Sequence, residues 1–413
     1  MEFNCKVKIV DAIMGAGKSQ SIINLINNSD EDDRFLVITS YLDEVKRYRD
    51  SCPQKKFKAP KFENNKSKLD NLKKLIISGQ NICSTHSLFN KFDNDLIEIC
   101  RAANYTLILD EVHEVIQPYN LAYKDFQTLM TYCDIDENTK QLVWKESEKD
   151  YNGDKFAEEK RLVDLGALVV FSGNLMCWLF PVEVFNSFRN IYILTYRFDL
   201  QLQRYYYDYY GLAYTYMSVD GNDLNNYHLI AYDKDKKYIK YDYSKLIHIC
   251  ENEKMLQIGD TQTALSKTWY DNNKDGVAMK TLKNNVYNFF NNICKAKSTD
   301  NIWTTFKDYE TKLRGKGYSK GFLPLNCRAT NDYRTRTNVA YTINRYLNPY
   351  IKQFFVSNGI DIDEDGYAMS EMLQFLWRSA IREGQEINVY IPSIRMRRLL
   401  EQWVKDNPLV ENY

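Results

Sequence analysis

The chain has 413 residues with 55 basic and 55 acidic side chains, so no global field draws it toward a polyanion, and any nucleic-acid site has to be a local groove. At about 100–200 residues per domain, this length predicts two or three domains, each able to bury a core. Nine cysteines scattered from Cys5 to Cys327 without a C-x-x-C pair, and four dispersed histidines (His86, His113, His228, His248), argue against a disulfide framework and a zinc site. The chain has no run of about 18 apolar residues. The opening MEFNCKVKIVD lacks a signal-peptide layout, so a cytoplasmic protein without a membrane partner is expected. The 16 glycines and 8 prolines fall below typical usage of about 7% and 5%, which argues against long linkers.

The first half alternates short apolar runs with helical stretches, the pattern of an α/β domain with a mainly parallel sheet. Strands are expected at Lys6–Val10, Phe35–Thr39, Asn81–Ser84, Thr106–Leu109, Leu168–Phe171 and Ile191–Thr195, with helices at Ser19–Asn27, Leu42–Tyr48, Lys66–Ile77 and Tyr123–Cys133. TLIL and LVVF read as continuous apolar runs, as buried parallel strands do. The charged stretch Lys145–Glu159 reads as a solvated helical excursion. After Phe198 the character changes, and seven tyrosines crowd Tyr205–Tyr216. Aromatic platforms bind single strands, but tyrosine also suits half-buried surfaces, and packing is the favoured reading. Strand-like pieces at Tyr227–Tyr232 and Tyr238–Tyr243 flank DKDKK. The remainder is a second α/β pattern, with strands at Ile302–Phe306, Phe322–Leu325 and Ile387–Ile391 and helices at Arg336–Tyr346, Ala368–Arg382 and Arg395–Val404. The predicted organisation is two domains, 1–198 and 199–413, the second with a Tyr-rich insertion at about 203–245.

The strongest local signal is VDAIMGAGKSQ, where an apolar strand runs through Ala12, Met14, Gly15, Ala16, Gly17, Lys18 and Ser19 into a helix. A phosphate-binding loop needs small residues so that backbone N–H groups can close on the oxygens. It also needs a lysine for the β/γ-phosphates and a hydroxyl for Mg²⁺. All three are present, which makes ATP and Mg²⁺ the expected ligands. Such a loop needs acidic partners, and TLILDEVHE supplies them at the end of a strand. Asp110 is expected to hold Mg²⁺ with Ser19, and Glu111 to orient or deprotonate the attacking water.

Ala12 stands where the strict loop pattern has its first glycine, and A-x-x-G-x-G-K-S resembles the variant found in superfamily 2 helicases. Asp110-Glu111-Val112-His113 resembles motif II of the DExH helicases, in flavour closest to phage-encoded and herpesvirus origin-binding-type replication helicases. VITSY (Val37–Tyr41) is similar to motif Ia and STHSL (Ser84–Leu88) to motif Ib. FSGN (Phe171–Asn174) stands at motif III, NCRATN (Asn326–Asn331) resembles motif V, and Gln374–Arg382 resembles motif VI. The resemblance covers nearly the whole chain and implies two tandem RecA-like domains with a nucleotide cleft between them. It implies a nucleic-acid-dependent ATPase that translocates along or unwinds a strand, with DNA favoured, in phage replication or recombination. A single-stranded or forked substrate and a replication-protein partner follow from it, as does a host-cell cytoplasm. It places Thr39, Ser40, Thr85 and His86 of the first domain and Arg328, Thr330 and Asn331 of the second on the nucleic acid. His113, Ser172 and Asn174 would couple hydrolysis to movement.

This chain departs from the family at two motifs. FSGN lacks the alanine and threonine of motif III, and Trp377 occupies the glycine position of motif VI, with the second arginine one residue late. Spaced i, i+4, i+8, the residues Gln374, Arg378 and Arg382 would line one face of a helix. Either arginine could then act as a finger on the γ-phosphate, the bland reading being an ion pair with Glu371 or Glu383. Basic density at Lys312–Lys320 and Arg395–Arg398 could add phosphate contacts or be a solvated surface. A packaging motor of the terminase type would instead need a two-metal carboxylate cluster in the second half, for which Asp361, Asp363, Glu364 and Asp365 are the near candidates. An ATP-switched origin-binding or loader protein would hydrolyse ATP without unwinding.

Overall fold

The computed structural model describes residues 6–63, 67–151, 153–233, 239–325 and 332–409. The chain divides into two α/β units. The first takes residues up to Asp11, Lys18–Tyr232 and Asn348–Ile362; the second takes Ala12–Gly17, Asp233–Leu347 and the chain from Asp363 on.

The strands of the first unit are β1 (Val7–Asp11), β2 (Phe35–Thr39), β3 (Ile82–Thr85), β4 (Thr106–Asp110), β5 (Ile116–Pro118), β6 (Cys133–Ile135), β7 (Leu142–Trp144), β8 (Leu168–Phe171), β9 (Leu175–Leu179), β10 (Asn190–Thr195), β11 (Thr215–Asp220) and β12 (His228–Ala231). Seven of them form one sheet in the order β12-β11-β1-β10-β4-β2-β3, parallel throughout except for β12 on β11. Its central strands are apolar on both faces: all five residues of β2 and the first four of β4 are buried, as strands covered by helices on both sides must be. The helix Lys18–Asn27 buries Ile22, Ile23 and Ile26, and Asn24 Nδ2 donates to the carbonyls of Leu224 and Tyr227 at 3.0 and 2.9 Å, tying it to the β11–β12 loop. The helix Lys68–Ile77 starts at a Ser67/Asp70 capping box, which satisfies two otherwise orphaned N–H groups.

Between β4 and β10 the chain builds a smaller antiparallel layer, β5-β9-β8 with the hairpin β6–β7, around a core that includes Leu129, Phe156, Leu162 and Met176. LVVF does form a strand, β8, but it pairs antiparallel with β9 instead of joining the parallel sheet, because continuous burial does not distinguish the two environments. Among the described residues of Lys145–Glu159, only a turn at Glu146–Glu148 and the start of the helix Ala157–Asp164 are helical.

Three of the seven tyrosines in the Tyr-rich stretch are core residues, and Tyr209, Tyr210, Tyr214 and Tyr216 are half-buried. Tyr205, Tyr206 and Tyr207 on the helix Leu202–Tyr209 are at most 1% exposed, and the Tyr206 hydroxyl donates to the Phe180 carbonyl at 2.5 Å. Because β11 and β12 extend the first sheet, the first unit runs on to Tyr232, past the expected boundary near residue 199. It also receives the helix Pro349–Ser357 from the far end of the chain. Phe354 of this helix lies edge-on to Phe171 and Tyr209, with centroids at 5.6 and 5.0 Å, and Phe355 lies 5.9 Å from Tyr205.

Among the described residues the second unit holds four parallel strands, β13 (Ile247–Ile249), β14 (Asn301–Thr304), β15 (Asn338–Tyr341) and β16 (Ile387–Tyr390), in the order β13-β16-β15-β14. Trp303, Tyr270, Phe289, Phe290 and Tyr390 are among its core residues. The helix expected at Arg336–Tyr346 is in fact β15, an interior strand buried at every position, where the run NVAY has no polar face to turn to solvent. Phe322–Leu325 contributes only an isolated bridge to Trp303. Tyr238–Tyr243 lies partly outside the described residues, and Tyr243 opens a helical turn, Tyr243–Leu246. Among the described residues no helix is long and apolar enough to cross a membrane.

Candidate active site

The residues expected to form a phosphate loop follow β1 and lead into the helix that starts at Lys18. Gly15 and Gly17 take φ of +86° and +90°, a region open to glycine at little cost, so both glycines are required by the turn. Ala16 N donates to the Ile13 carbonyl at 3.2 Å and closes the loop. Ala12 is buried at 6% exposure, and Met14 is half-buried. The first N–H groups of the helix that follows have no partner within it, which is the setting for an anion.

Asp110 ends β4, and its two carboxylate oxygens are held from different directions. Oδ1 accepts from Ser19 Oγ at 3.2 Å and Oδ2 from the Tyr48 hydroxyl at 3.0 Å. Burial pushes the Asp110 carboxyl up to about 6, helped by the neighbouring charges of Glu111 and Glu44 and opposed by the Tyr48 hydrogen bond and Arg47. Glu111 follows with φ of +90°. A non-glycine residue in that region is strained, as side chains at functional sites often are. Its N–H donates to the Leu194 carbonyl at 3.1 Å, and its Oε2 accepts from Ser40 Oγ at 3.3 Å. Two left-handed glycines in the loop, a hydroxyl at the start of the helix after it and a carboxylate facing that hydroxyl from the end of β4 are the chemistry that a magnesium nucleotide requires, and these residues fit it.

The four first-domain residues expected on the nucleic acid collect at the carboxyl ends of neighbouring strands. Thr39 and Thr85 are register partners on β2 and β3. Thr39 is fully buried, and its hydroxyl donates to the Tyr41 carbonyl at 3.1 Å, whereas Ser40 and Thr85 are half-buried. His86 begins the short helix His86–Phe89 and stacks on His113 with ring centroids 5.1 Å apart. The two Nδ1 atoms lie 2.8 Å apart, so one ring donates and the other accepts. The His113 N–H donates to Gln203 Oε1 at 2.8 Å, and Phe89 and Phe180 press edge-on against its ring. Two of the four candidates thus touch the Asp110–His113 segment directly, Ser40 through Glu111 and His86 through His113. Arg328, Thr330 and Asn331 lie outside the described residues.

Ser172 and Asn174 are placed differently from expectation. With Gly173 they form the β8–β9 hairpin turn, where Ser172 and Gly173 take φ of +46° and +91°, and Ser172 Oγ accepts from Gln353 Nε2 at 2.8 Å. The strand that lies between β1 and β4 in the parallel sheet is β10, so its end, Thr195, occupies the position beside both acidic and phosphate-loop strands. After it, Arg197 N and Phe198 N donate to the Asp11 carboxylate at 2.8 and 2.9 Å.

The one-face expectation for Gln374, Arg378 and Arg382 fails. The helix is Glu364–Leu376, and Trp377 ends it with its indole packed on Tyr243 and Trp403, centroids 4.9 and 5.2 Å away. Ser379 Oγ then donates to the Leu376 carbonyl at 2.6 Å, Ala380 N to the Arg336 carbonyl at 2.9 Å, and a separate 3₁₀ turn spans Ala380–Glu383. Gln374 is half-buried in the last helical turn, Arg378 is 7% exposed and Arg382 is half-buried. Residues 12–17 fall in the same unit as Arg382. A Cβ added at Gly15 would lie 3.7 Å from Cγ and from the carbonyl oxygen of Arg382.

Glu371 faces Arg345 at 3.9 Å. Arg395, expected on a basic surface, is 4% exposed and pairs with Asp365 at 2.6 Å while donating to Asn344 Oδ1 and the Arg345 carbonyl. Lys312 and Arg314 pair with Asp275 and Glu310. Sequence reasoning missed Tyr48, whose only signal was its place at the end of the amphipathic helix after β2.

Residues 241–404 match the family described as the YonV C-terminal Rossmann-like domain. Two solved structures align over most of the chain. One, described as XPD_APO, is 13% identical with a TM-score of 0.42 and covers 96% of each chain. The other, the S. tokodaii Xpd4 structure, is 10% identical with a TM-score of 0.47 and covers 96% of this chain and 94% of its own. The SPbeta prophage-derived uncharacterized protein YonV of Bacillus subtilis (strain 168) is 41% identical over 412 residues, covering 97% of this chain and 99% of that protein. At that identity across nearly all of both chains, the protein belongs to the YonV family.

Proposed function

We propose that the protein is an ATP-dependent nucleic-acid translocase that works as a helicase on DNA during phage replication or recombination. The observation that supports it most is the 3.2 Å approach of Ser19 Oγ to Asp110 Oδ1. Two motifs that are far apart in sequence and were read separately as a phosphate loop and its acidic partner converge on one point. In this reading Lys18 reaches the β/γ-phosphates, while Ser19 and Asp110 hold Mg²⁺, which when bound offsets charge on the phosphate oxygens. Glu111, steadied by Ser40, orients the attacking water and takes its proton. Arg382 is the preferred finger, since Arg378 is buried and Arg382 lies beside Gly15. Ser40, Thr85 and His86, with Arg328, Thr330 and Asn331, track the strand, and the prophage origin of the YonV relative fits a replicative role. Three of the four carboxylates a packaging nuclease would need are otherwise engaged: Asp363 caps Gly366 N, Glu364 accepts from Leu347 N, and Asp365 pairs with Arg395.

The test is steady-state ATP hydrolysis with and without single-stranded DNA, duplex DNA and single-stranded RNA. Wild type should be stimulated by one polymer. Lys18→Ala should lose turnover, and Glu111→Gln should lose about 10²–10⁴-fold while still binding ATP. Hydrolysis by Glu111→Gln at the wild-type rate would refute the base assignment. Lys18-dependent turnover indifferent to every polymer would favour an ATP switch over a motor.

A further inference from the structure

The Tyr48 side chain is fully buried on the helix Leu42–Ser51, and its hydroxyl donates to Asp110 Oδ2 at 3.0 Å. The other oxygen of the same carboxylate faces Ser19 Oγ at 3.2 Å. A carboxylate at a strand end can rotate about its terminal torsion, for which a broad range of angles is open. A donor on one oxygen removes that freedom and leaves the other aimed at the phosphate loop. The helix is itself anchored: Val45 and Tyr48 are its buried residues, and Cys52 N donates to the Tyr48 carbonyl at 3.1 Å. A phenylalanine would fill the same space, so ring packing alone leaves the hydroxyl without a reason to be there. Buried hydroxyls are placed where they have a partner, and here the partner is the residue that would hold the metal.

We infer that Tyr48 is a positioning residue for Mg²⁺, fixing Asp110 so that Oδ1 is presented beside Ser19. This rests on the proposed nucleotide site and deepens it. Groups that orient a metal ligand from behind cost about 10–100-fold in metal affinity when removed, and such a loss falls on the metal without touching the phosphate loop. The same stretch of chain also reaches the second acidic residue, through Ser40 on Glu111. The segment between β2 and the end of this helix therefore contacts both carboxylates.

The experiment compares wild type, Lys18→Ala and Tyr48→Phe in the full-length chain. Mn²⁺ binding is read by electron paramagnetic resonance in the presence of a non-hydrolysable ATP analogue, analogue binding is measured in EDTA, and kcat and KM are measured against Mg²⁺. Tyr48→Phe is expected to weaken Mn²⁺ by 10-fold or more and raise the Mg²⁺ needed for half-maximal turnover in step, with metal-free analogue affinity within twofold of wild type. Mn²⁺ affinity within twofold of wild type, equal losses of metal and metal-free nucleotide binding, or a Tyr48→Phe chain that does not fold would each overturn the assignment. Failure of the underlying nucleotide site has a different signature: wild type and Lys18→Ala would bind the analogue equally weakly, and the role of Tyr48 would fall with it.

Discussion

The carboxyl ends of β1 and β4 and the segment after the helix Glu364–Leu376 both present charged side chains as candidates for one reaction, but they hold them by different means. Asp110 is fixed by register, since it pairs with Leu194 on β10, and Glu111 N continues the pattern with a bond to the Leu194 carbonyl. Arg378 and Arg382 depend on where a helix stops, and that is decided by the indole of Trp377 between Tyr243 and Trp403. A strand end delivers a side chain to a place set by backbone hydrogen bonds along the whole sheet. Beyond a helix end, each side chain goes where local packing sends it. The two arginines, four residues apart, accordingly differ in burial.

The sharpest way to test this contrast is to separate the arginines. Arg382→Ala should lower kcat by about 10³-fold, the lower end of what a finger contributes, with little change in the unfolding midpoint. Arg378→Ala should instead cost about 1–3 kcal/mol of stability, as the loss of a buried side chain does. Turnover assays and thermal unfolding on both variants check this, and the reverse result would move the finger to Arg378.

A second test asks what the strand-end geometry costs. Asp110 has a folded-state value of about 6 against 3.8 for the free group. Because the folded value is raised, its contribution to stability is fully present below about pH 4 and is lost as pH rises through 6. A shift of that size corresponds to about 2–3 kcal/mol. Asp110→Asn should therefore stabilise the metal-free protein at pH 8 and leave it nearly unchanged at pH 4, as measured by denaturant unfolding, while abolishing hydrolysis. The smallest effect is expected at His86. His86→Ala breaks the contact with His113 and should reduce polymer stimulation of turnover several-fold, about 1 kcal/mol in coupling, while basal hydrolysis stays near wild type. Stimulation unchanged in His86→Ala would remove this pair from the link between strand and nucleotide.

The same contrast explains what could be read from the amino-acid sequence. The left-handed turn at Gly15 and Gly17 and the strands β2, β4 and β10 were legible because continuous apolar runs and obligatory glycines leave few alternatives. The fate of Gln374–Arg382 was not, since nothing local says that Trp377 finds Tyr243 and Trp403 and ends the helix. LVVF was assigned to the parallel sheet because a buried antiparallel strand and a buried parallel one have the same composition, and only the pairing of β8 with β9 distinguishes them. The helix expected over Arg336–Tyr346 gave way to β15, because NVAY is buried at every position between two neighbouring strands. Tyr48 carries no motif; its role depends on a contact 62 residues away in sequence.

The helix Pro349–Ser357 has a consequence for synthesis. A ribosome that has released the chain as far as Tyr232 has made all the described strands of the first unit but not Phe354 and Phe355, which cover Phe171, Tyr205 and Tyr209. The early half of the nascent chain must therefore wait with an aromatic face bare for more than a hundred further residues, a window for chaperone capture. Cutting the gene at the apparent domain junction carries the same penalty in permanent form. A fragment spanning 241–404 would keep the covering helix and lose the surface it was made to cover.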